Sequence, residues 1–285
     1  MRQWGYTEWV SLTAGVTPKR IHSHNDYEQP APLLKALSYG AASVEADVWL
    51  VEDELLVGHT ESELSSNRTL SSLYLDPLQD LIRIANLDRE DDGVSRGVFD
   101  TAPKLSLQLL IDLKTDGSET FNKLYEYLEP LRSAGYLTTV VPASPYPIFS
   151  PSVVTVIGTG NTLLSSVLEL GNNSARRRDI FLDAQLLDLV SPNAALRALD
   201  AYKPSVSPLA SANLQDVVGW SWVVPWVARR RVRTLVNAAH EKGVQVRFWN
   251  TPSSPVWFRN LVWQMLLDEG ADWLNADDLP AAARF

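Results

Sequence analysis

Arg20-Ile21-His22-Ser23-His24-Asn25-Asp26-Tyr27 is a short strand pattern that runs straight into polar side chains, with no glycine-rich loop behind it. A doubly wound nucleotide-binding sheet places such a loop after its first strand, where backbone N–H groups approach a phosphate. Without it, the barrel is the better reading of a chain that alternates strands with helices. The rest of the sequence supplies the alternation. Strands are predicted over 20–24, 43–50, 106–114, 153–157, 180–183, 205–209, 244–249 and 272–276, with 54–58 as a short hairpin arm. Helices are predicted over 32–39, 119–131, 228–242 and 256–267, with Gly40 and Gly243 as stops for two of them. Eight strands, the hairpin arm set aside, make an α/β chain of (β/α)8 TIM-barrel type. The expected layout is one domain over 19–285 behind an amino-terminal extension of 1–18. Polar residues gather at the carboxyl ends of these strands: His24, Glu45, Asp47, Asp112, Lys114, Asp183, Asn250 and Asn275. That is the face on which such barrels build their sites.

Composition narrows the chemistry. At 285 residues and 45 % hydrophobic, the chain can bury a large core. A net charge of −9 argues against a nucleic-acid partner, because no basic excess is present to neutralise phosphates. A small anionic substrate stays compatible, since a bound metal reverses the local sign. The absence of cysteine removes disulfides, thiolate zinc sites and cysteine nucleophiles together. No secretory signal is visible: Met1 to Thr17 lacks a continuous apolar run, and no stretch approaches the roughly 18 apolar residues of a transmembrane helix. The compartment is left unassigned. The charged run from Asp88 to Gly93 reads as a solvated loop.

Two pairs of residues carry the chemistry. Glu45 and Asp47 are two apart, so on a strand both side chains point to one face. Carboxylates aimed together repel unless a proton or cation lies between them, and a hard divalent cation suits their oxygens. Asp112, two before Lys114, would complete a three-carboxylate site, and Lys114 could hold a phosphate as a point charge. Asp112-x-Lys114 alone reads most simply as a strand-end ion pair or a surface loop, and Glu45-x-Asp47 alone is a weak signal. Three of the four histidines, His22, His24 and His59, fall in the same early stretch and suit acid–base work. His22-x-His24 also fits a zinc amidohydrolase or phosphoesterase barrel, but such sites need further histidines from later strands. His240 alone is left, in a predicted helix where a helix-end cation is the simpler reading. One histidine of the pair is then catalytic and the other supports it. Trp220, Trp222 and Trp226, with Arg229 to Arg233 behind them, suit peripheral contact with a membrane or an amphiphilic substrate; the bland reading is a loop packed on the barrel. Nothing in the sequence points to a protein partner.

His-Ser-His-Asn-Asp-Tyr (22–27), Val-Glu-Ala-Asp-Val-Trp-Leu (44–50), Leu-Leu-Val-Gly-His (55–59) and Ile-Asp-Leu-Lys-Thr (111–115) together resemble the phospholipase-C-like phosphodiesterase superfamily. That superfamily holds glycerophosphodiester phosphodiesterases, phosphatidylinositol-specific phospholipase C and sphingomyelinase D enzymes. With Arg-Phe-Trp-Asn-Thr-Pro (247–252), the motifs are most similar to the fungal altered inheritance of mitochondria protein 6 group and related bacterial proteins. The resemblance covers about residues 19–281. It implies a distorted (β/α)8 barrel with one divalent cation, Mg2+ or Ca2+, held by Glu45, Asp47 and Asp112. It implies His24 and His59 as the catalytic histidines, with His22 an extra one that competes with His24 for the role. It implies Lys114, Asn25, Arg247, Trp249 and Asn250 as groups facing the substrate. Asn25-Asp26 stands where glycerophosphodiesterases have Arg-Gly, so their substrate preference does not carry over. The expected activity is metal-dependent cleavage of a phosphodiester in a phospholipid or glycerophosphodiester-like substrate. The alternatives are the zinc enzyme and a non-catalytic phospho-ligand barrel.

Overall fold

Side-chain alternation along the strands sets the layers of the molecule. A computed structural model describes residues 12–87, 95–143, 146–170, 177–193, 200–219 and 225–285. Its strands are β1 (Lys19–Ser23), β2 (Ala41–Val51), β3 (Glu54–Val57), β4 (Leu107–Leu113), β5 (Thr139–Val141), β6 (Ile148–Ser150), β7 (Val154–Gly160), β8 (Ile180–Gln185), β9 (Leu209–Asn213), β10 (Gln245–Trp249) and β11 (Leu274–Ala276). Eight of them pair in parallel in the order β10-β9-β8-β7-β4-β2-β1-β11. The hairpin arm β3 lies antiparallel on β2, and β5 and β6 form a separate pair. At the seam, Arg247 bridges Trp273, and the N–H groups of Asp272 and Trp273 both donate to the Val246 carbonyl. The result is a nearly closed (β/α)8 barrel in a single domain.

On β2, Val44, Ala46 and Val48 face outward into the main core, while Ser43, Glu45 and Asp47 face the barrel interior. On β4, Leu107, Leu109, Ile111 and Leu113 join the outer core, whereas Leu110 joins Ile157, Phe181, Leu209 and Trp273 in a small cluster inside the barrel. Each fully buried Leu or Ile contributes about 1.5–3 kcal/mol relative to exposure, so both faces of these strands are strongly specified. Two residues beyond the inner apolar cluster, the same strands present Asp112, Thr159, Asp183, Ser211 and Asn275. The barrel is therefore apolar within and polar toward the carboxyl ends of its strands, where the site lies.

Two expectations change in detail, and two elements are new. The strand predicted over 205–209 begins only at Leu209, because Pro204 and Pro208 lack N–H donors and the N–H groups of Val206 and Ser207 fold back onto Lys203. The helix predicted over 119–131 is two, Gly117–Tyr127 and Glu129–Ser133, interrupted ahead of Pro130. Its start is fixed by Asp116, which accepts from the N–H groups of Ser118 (2.9 Å) and Glu119 (3.0 Å). The helix Asp76–Ala85 and the β5–β6 pair were not foreseen. Residues 1–11, the Asp88–Gly93 run, and Trp220 and Trp222 lie outside the described residues.

Candidate active site

The alternation that turns Glu45 and Asp47 inward also aligns Asp47 with Asp112 across the β2–β4 pairing. Glu45, Asp47 and Asp112 each bring one oxygen within 4.8 Å of the others. Their arrangement fits a hard cation on three counts. The oxygens are carboxylate. Burial first, then the charges of Glu45 and Asp112, push the Asp47 carboxyl up to about 6, as expected of a buried carboxylate beside like charges. And Asp112 Oδ1 is buried with no hydrogen-bond partner. Lys114 offsets part of the charge, its Nζ lying 2.9 Å from Asp47 Oδ2 and 2.7 Å from Asp112 Oδ2. Gly160 closes against the same carboxylate. It has φ +62, and a Cβ there would come within 1.9 Å of Asp112 Oδ1. Gly160→Ala is therefore expected to displace Asp112 and weaken divalent-cation binding about tenfold or more, measured by calorimetric titration of the folded variant.

His24 follows the end of β1, where the left-handed Asn25 (φ 47) turns the chain and its N–H donates to Glu45 Oε2 (3.2 Å). Asp26 is not aimed at the site. It is buried and accepts from Ser23 Oγ (2.6 Å) and the Leu33 N–H (2.5 Å), bracing the loop that carries His24 and Asn25. His24 Nδ1 lies 2.8 Å from Asp277 Oδ1 and its Nε2 lies 3.9 Å from Glu45 Oε2. Burial works against its charge, yet the Asp277 hydrogen bond and the Glu45 charge raise its pKa above the usual histidine value.

His22 behaves differently. Its side chain is completely buried. Arg247 Nη1 donates to His22 Nε2 at 2.7 Å, so Nδ1 carries the proton and donates to Ser43 Oγ at 2.7 Å. Burial and the Arg247 charge lower its pKa to about 4, leaving a neutral ring with both nitrogens engaged. Arg247 itself was expected to face substrate; the structure places it inside the barrel, 3 % exposed. There it reaches Ser211 Oγ (3.0 Å), Asn275 Oδ1 (3.3 Å), Asp183 Oδ2 (3.4 Å) and Glu45 Oε1 (3.5 Å).

His59 lies beyond β3, half exposed, on a turn braced by Glu63, which accepts from the N–H groups of His59 (3.0 Å) and Thr60 (3.2 Å). Its Nδ1 is 3.1 Å from the Tyr27 hydroxyl and 3.5 Å from Asp47 Oδ2. Tyr27 has one proton, and the Asp47 carboxylate at 2.8 Å is the stronger acceptor. His59 Nδ1–H therefore donates to the phenol oxygen, and Nε2 is left free. Burial and the neighbouring carboxylates raise the Tyr27 pKa, which keeps the phenol protonated. Trp249 ends β10, partly exposed, and the left-handed Asn250 (φ 55) donates to Asn213 Oδ1 at 3.0 Å across the β9–β10 rim. His240 closes the helix Pro225–His240, at the helix end where the sequence places it, and its Nε2 lies 2.8 Å from Asp272 Oδ2. Asp277 and Tyr27 were missed as site residues. Tyr27 stood in the quoted motif, but Asp277 lies 253 residues from His24 and nothing near it marks the pairing.

The profile of the AIM6-like phosphodiesterase domain matches residues 10–183. The chain belongs to that family. It is 40 % identical over 287 residues to an altered inheritance of mitochondria protein 6 homolog of Arthroderma benhamiae, covering 96 % of this chain and 85 % of the relative. It is 36 % identical over 278 residues to altered inheritance of mitochondria protein 6 of Eremothecium gossypii, covering 93 % of this chain and 69 % of that protein. Among solved structures, a glycerophosphodiester phosphodiesterase from Parabacteroides distasonis is similar at a TM-score of 0.47 and 14 % identity, covering 93 % of this chain and 94 % of that one. Glu45, Asp47, His59 and Asp112 fall within the matched residues. No helix among the described residues is long and apolar enough to cross a membrane.

Proposed function

We propose that this AIM6-like domain is a metal-dependent phosphodiesterase that cleaves a phospholipid or glycerophosphodiester-like substrate by histidine acid–base catalysis. The observation that carries the reading is the convergence of Glu45, Asp47 and Asp112 within 4.8 Å, with His24 against Glu45 and His59 against Asp47. The three carboxylates would hold one divalent cation, Mg2+ or Ca2+, which when bound neutralises phosphodiester charge and activates an oxygen nucleophile. His59, with Nε2 unencumbered, takes the proton of the attacking hydroxyl or water. His24, held toward its charged form by Asp277, gives a proton to the leaving oxygen. Lys114 adds a positive charge beside the same carboxylates for the extra charge of the transition state. Asn25, Trp249 and Asn250 line the rim where the rest of the substrate would rest. His22 and Arg247 orient Glu45 from beneath. The two-histidine zinc reading loses support because Arg247 occupies the His22 Nε2 lone pair that zinc would need.

Hydrolysis of bis-p-nitrophenyl phosphate and a phospholipid panel, with Mg2+, Ca2+, Zn2+ or chelator, tests the proposal. The expected result is turnover with Mg2+ or Ca2+ that disappears on chelation. Undiminished turnover by metal-stripped protein would sink it. Phosphorus NMR of the products distinguishes water from a substrate hydroxyl as nucleophile, a cyclic phosphate marking the second.

The His24–Asp277 pair has its own readout. Asp277 raises the His24 pKa, so Asp277→Asn lowers it. Whichever limb of the pH–rate profile His24 governs is expected to move to lower pH. As a general acid, that limb is the alkaline one, and activity above neutrality falls first. An unmoved profile would remove Asp277 from the mechanism.

A further inference from the structure

Among the described residues, every exposed tryptophan stands on one part of the molecule. Trp226 is 66 %, Trp257 65 % and Trp249 39 % exposed, whereas Trp263 and Trp273 are buried. Trp249 is the last residue of β10, Trp257 lies in the first turn of the helix Val256–Asp268 that follows it, and Trp226 lies in the first turn of the helix Pro225–His240 that follows β9. All three are therefore at the carboxyl ends of the strands, the end that carries the carboxylates and His24. Exposed Leu187 and Val190, in the short helical turn Leu186–Val190 directly after β8, extend the apolar rim, and together with Trp226 they line one groove.

The rim is one-sided. The β1, β2 and β4 side of the mouth is polar, with His24, His59, Glu63 and Asp277; the β8, β9 and β10 side carries the exposed Leu187, Val190, Trp226, Trp249 and Trp257 alongside Asn213 and Asn250. A ligand that fits both halves carries a phosphodiester at one end and hydrocarbon at the other. We infer that the apolar rim over β8, β9 and β10 docks the mouth of the barrel onto a zwitterionic phospholipid surface, so that the substrate is a membrane lipid. This rests on the phosphodiesterase reading above. A protein seated on this rim would obstruct the mouth through which a diester enters, whereas a lipid surface delivers the diester to it. Tryptophan suits the boundary between head groups and acyl chains, its ring burying apolar area while its N–H stays among polar groups. Charge points to a zwitterionic rather than an anionic surface. The chain carries a net −9, and the groove mixes Arg230 and Arg231 with Asp216. Arg231 is further engaged with the carbonyls of Val217 and Val218.

The test is co-sedimentation of the full chain with phosphatidylcholine vesicles, run beside hydrolysis of soluble bis-p-nitrophenyl phosphate. Wild type is expected to sediment with the vesicles, and Trp226→Ala/Trp257→Ala to bind them about tenfold or more weakly, from the apolar area withdrawn from the bilayer. Soluble-diester turnover of the double variant is expected to stay at the wild-type rate, which also shows it to be folded. Tyr146→Ala/Ile148→Ala, which removes exposed apolar side chains away from this rim, is expected to bind vesicles as wild type does. Wild type that stays in the supernatant, equal loss of binding in the two double variants, or lipid-free dimerisation through Trp226 and Trp257 would overturn the inference. Absence of soluble-diester turnover in wild type would instead count against the phosphodiesterase reading, so the two failures are separable.

Discussion

His59→Ala is expected to lower diester turnover by about 10²–10⁴-fold, the usual contribution of a positioned acid or base. The loss should fall on kcat, because the imidazole acts in the transition state and not in holding the ground-state substrate. Its side chain is 51 % exposed, and its turn is held by backbone donors to Glu63, which the substitution leaves in place. The thermal midpoint should therefore stay within about 1–2 °C of wild type, since surface substitutions usually cost under about 0.5 kcal/mol. Tyr27→Phe adds a finer check. It removes the oxygen that fixes the His59 tautomer while keeping the buried ring, so a smaller loss in kcat with an altered pH profile is expected. Near-normal turnover in His59→Ala would overturn the assignment of His59 as base.

The largest expected effect on stability is at Arg247. Its guanidinium is buried and bridges β1, β2, β8, β9 and β11 through His22, Glu45, Asp183, Ser211 and Asn275. Arg247→Met keeps much of the side-chain volume but leaves Glu45 and Asp183 buried without their cation. Removing one partner of a buried ionic network costs about 3–5 kcal/mol, and for a chain of this size about 6–15 °C in Tm. Arg247→Lys restores the charge without the planar fork and should recover only part of the loss.

The pH dependence of the Arg247→Met deficit has a definite sign. Asp183 already has a raised pKa, through burial, although Arg247 opposes the shift. Without Arg247 it rises further. A carboxyl whose native pKa is raised costs nothing below its unfolded pKa, near 4, where both states are protonated. The cost accumulates as pH climbs to the native pKa and is fully present above it. The difference in Tm between wild type and Arg247→Met should therefore widen from about pH 4 toward neutrality. A gap that narrows over that interval would show that Asp183 is not the group left uncompensated.

Much of the fold was legible because it is written in local period. Val44, Ala46 and Val48 alternate with Glu45 and Asp47, so strand geometry alone sends the carboxylates to one face. Asp112 follows the same rule on β4, and Lys114, the next residue but one, places its Nζ 2.7 Å from the Asp112 carboxylate just past the strand end. The strand mistaken at 205–209 is instructive in the other direction. Its apolar residues match a strand, but two prolines withhold the donors that pairing requires, and the ladder starts after them. Periodicity reports burial, and pairing needs free N–H groups as well.

The sequence by itself determined the parallel α/β order, the inward carboxylates and the crowding of histidines near them, because each follows from residues a few positions apart. It could not decide which histidine is free to act. His22 and His24 are chemically alike and two apart. Only closure of the barrel puts Arg247, 225 residues away, on the first, and Asp277, 253 residues away, on the second. One ring is thereby buried, neutral and held as a scaffold, while the other is raised in pKa and turned to the mouth. That difference comes from desolvation and a partner's charge, and both exist only once distant strands are neighbours.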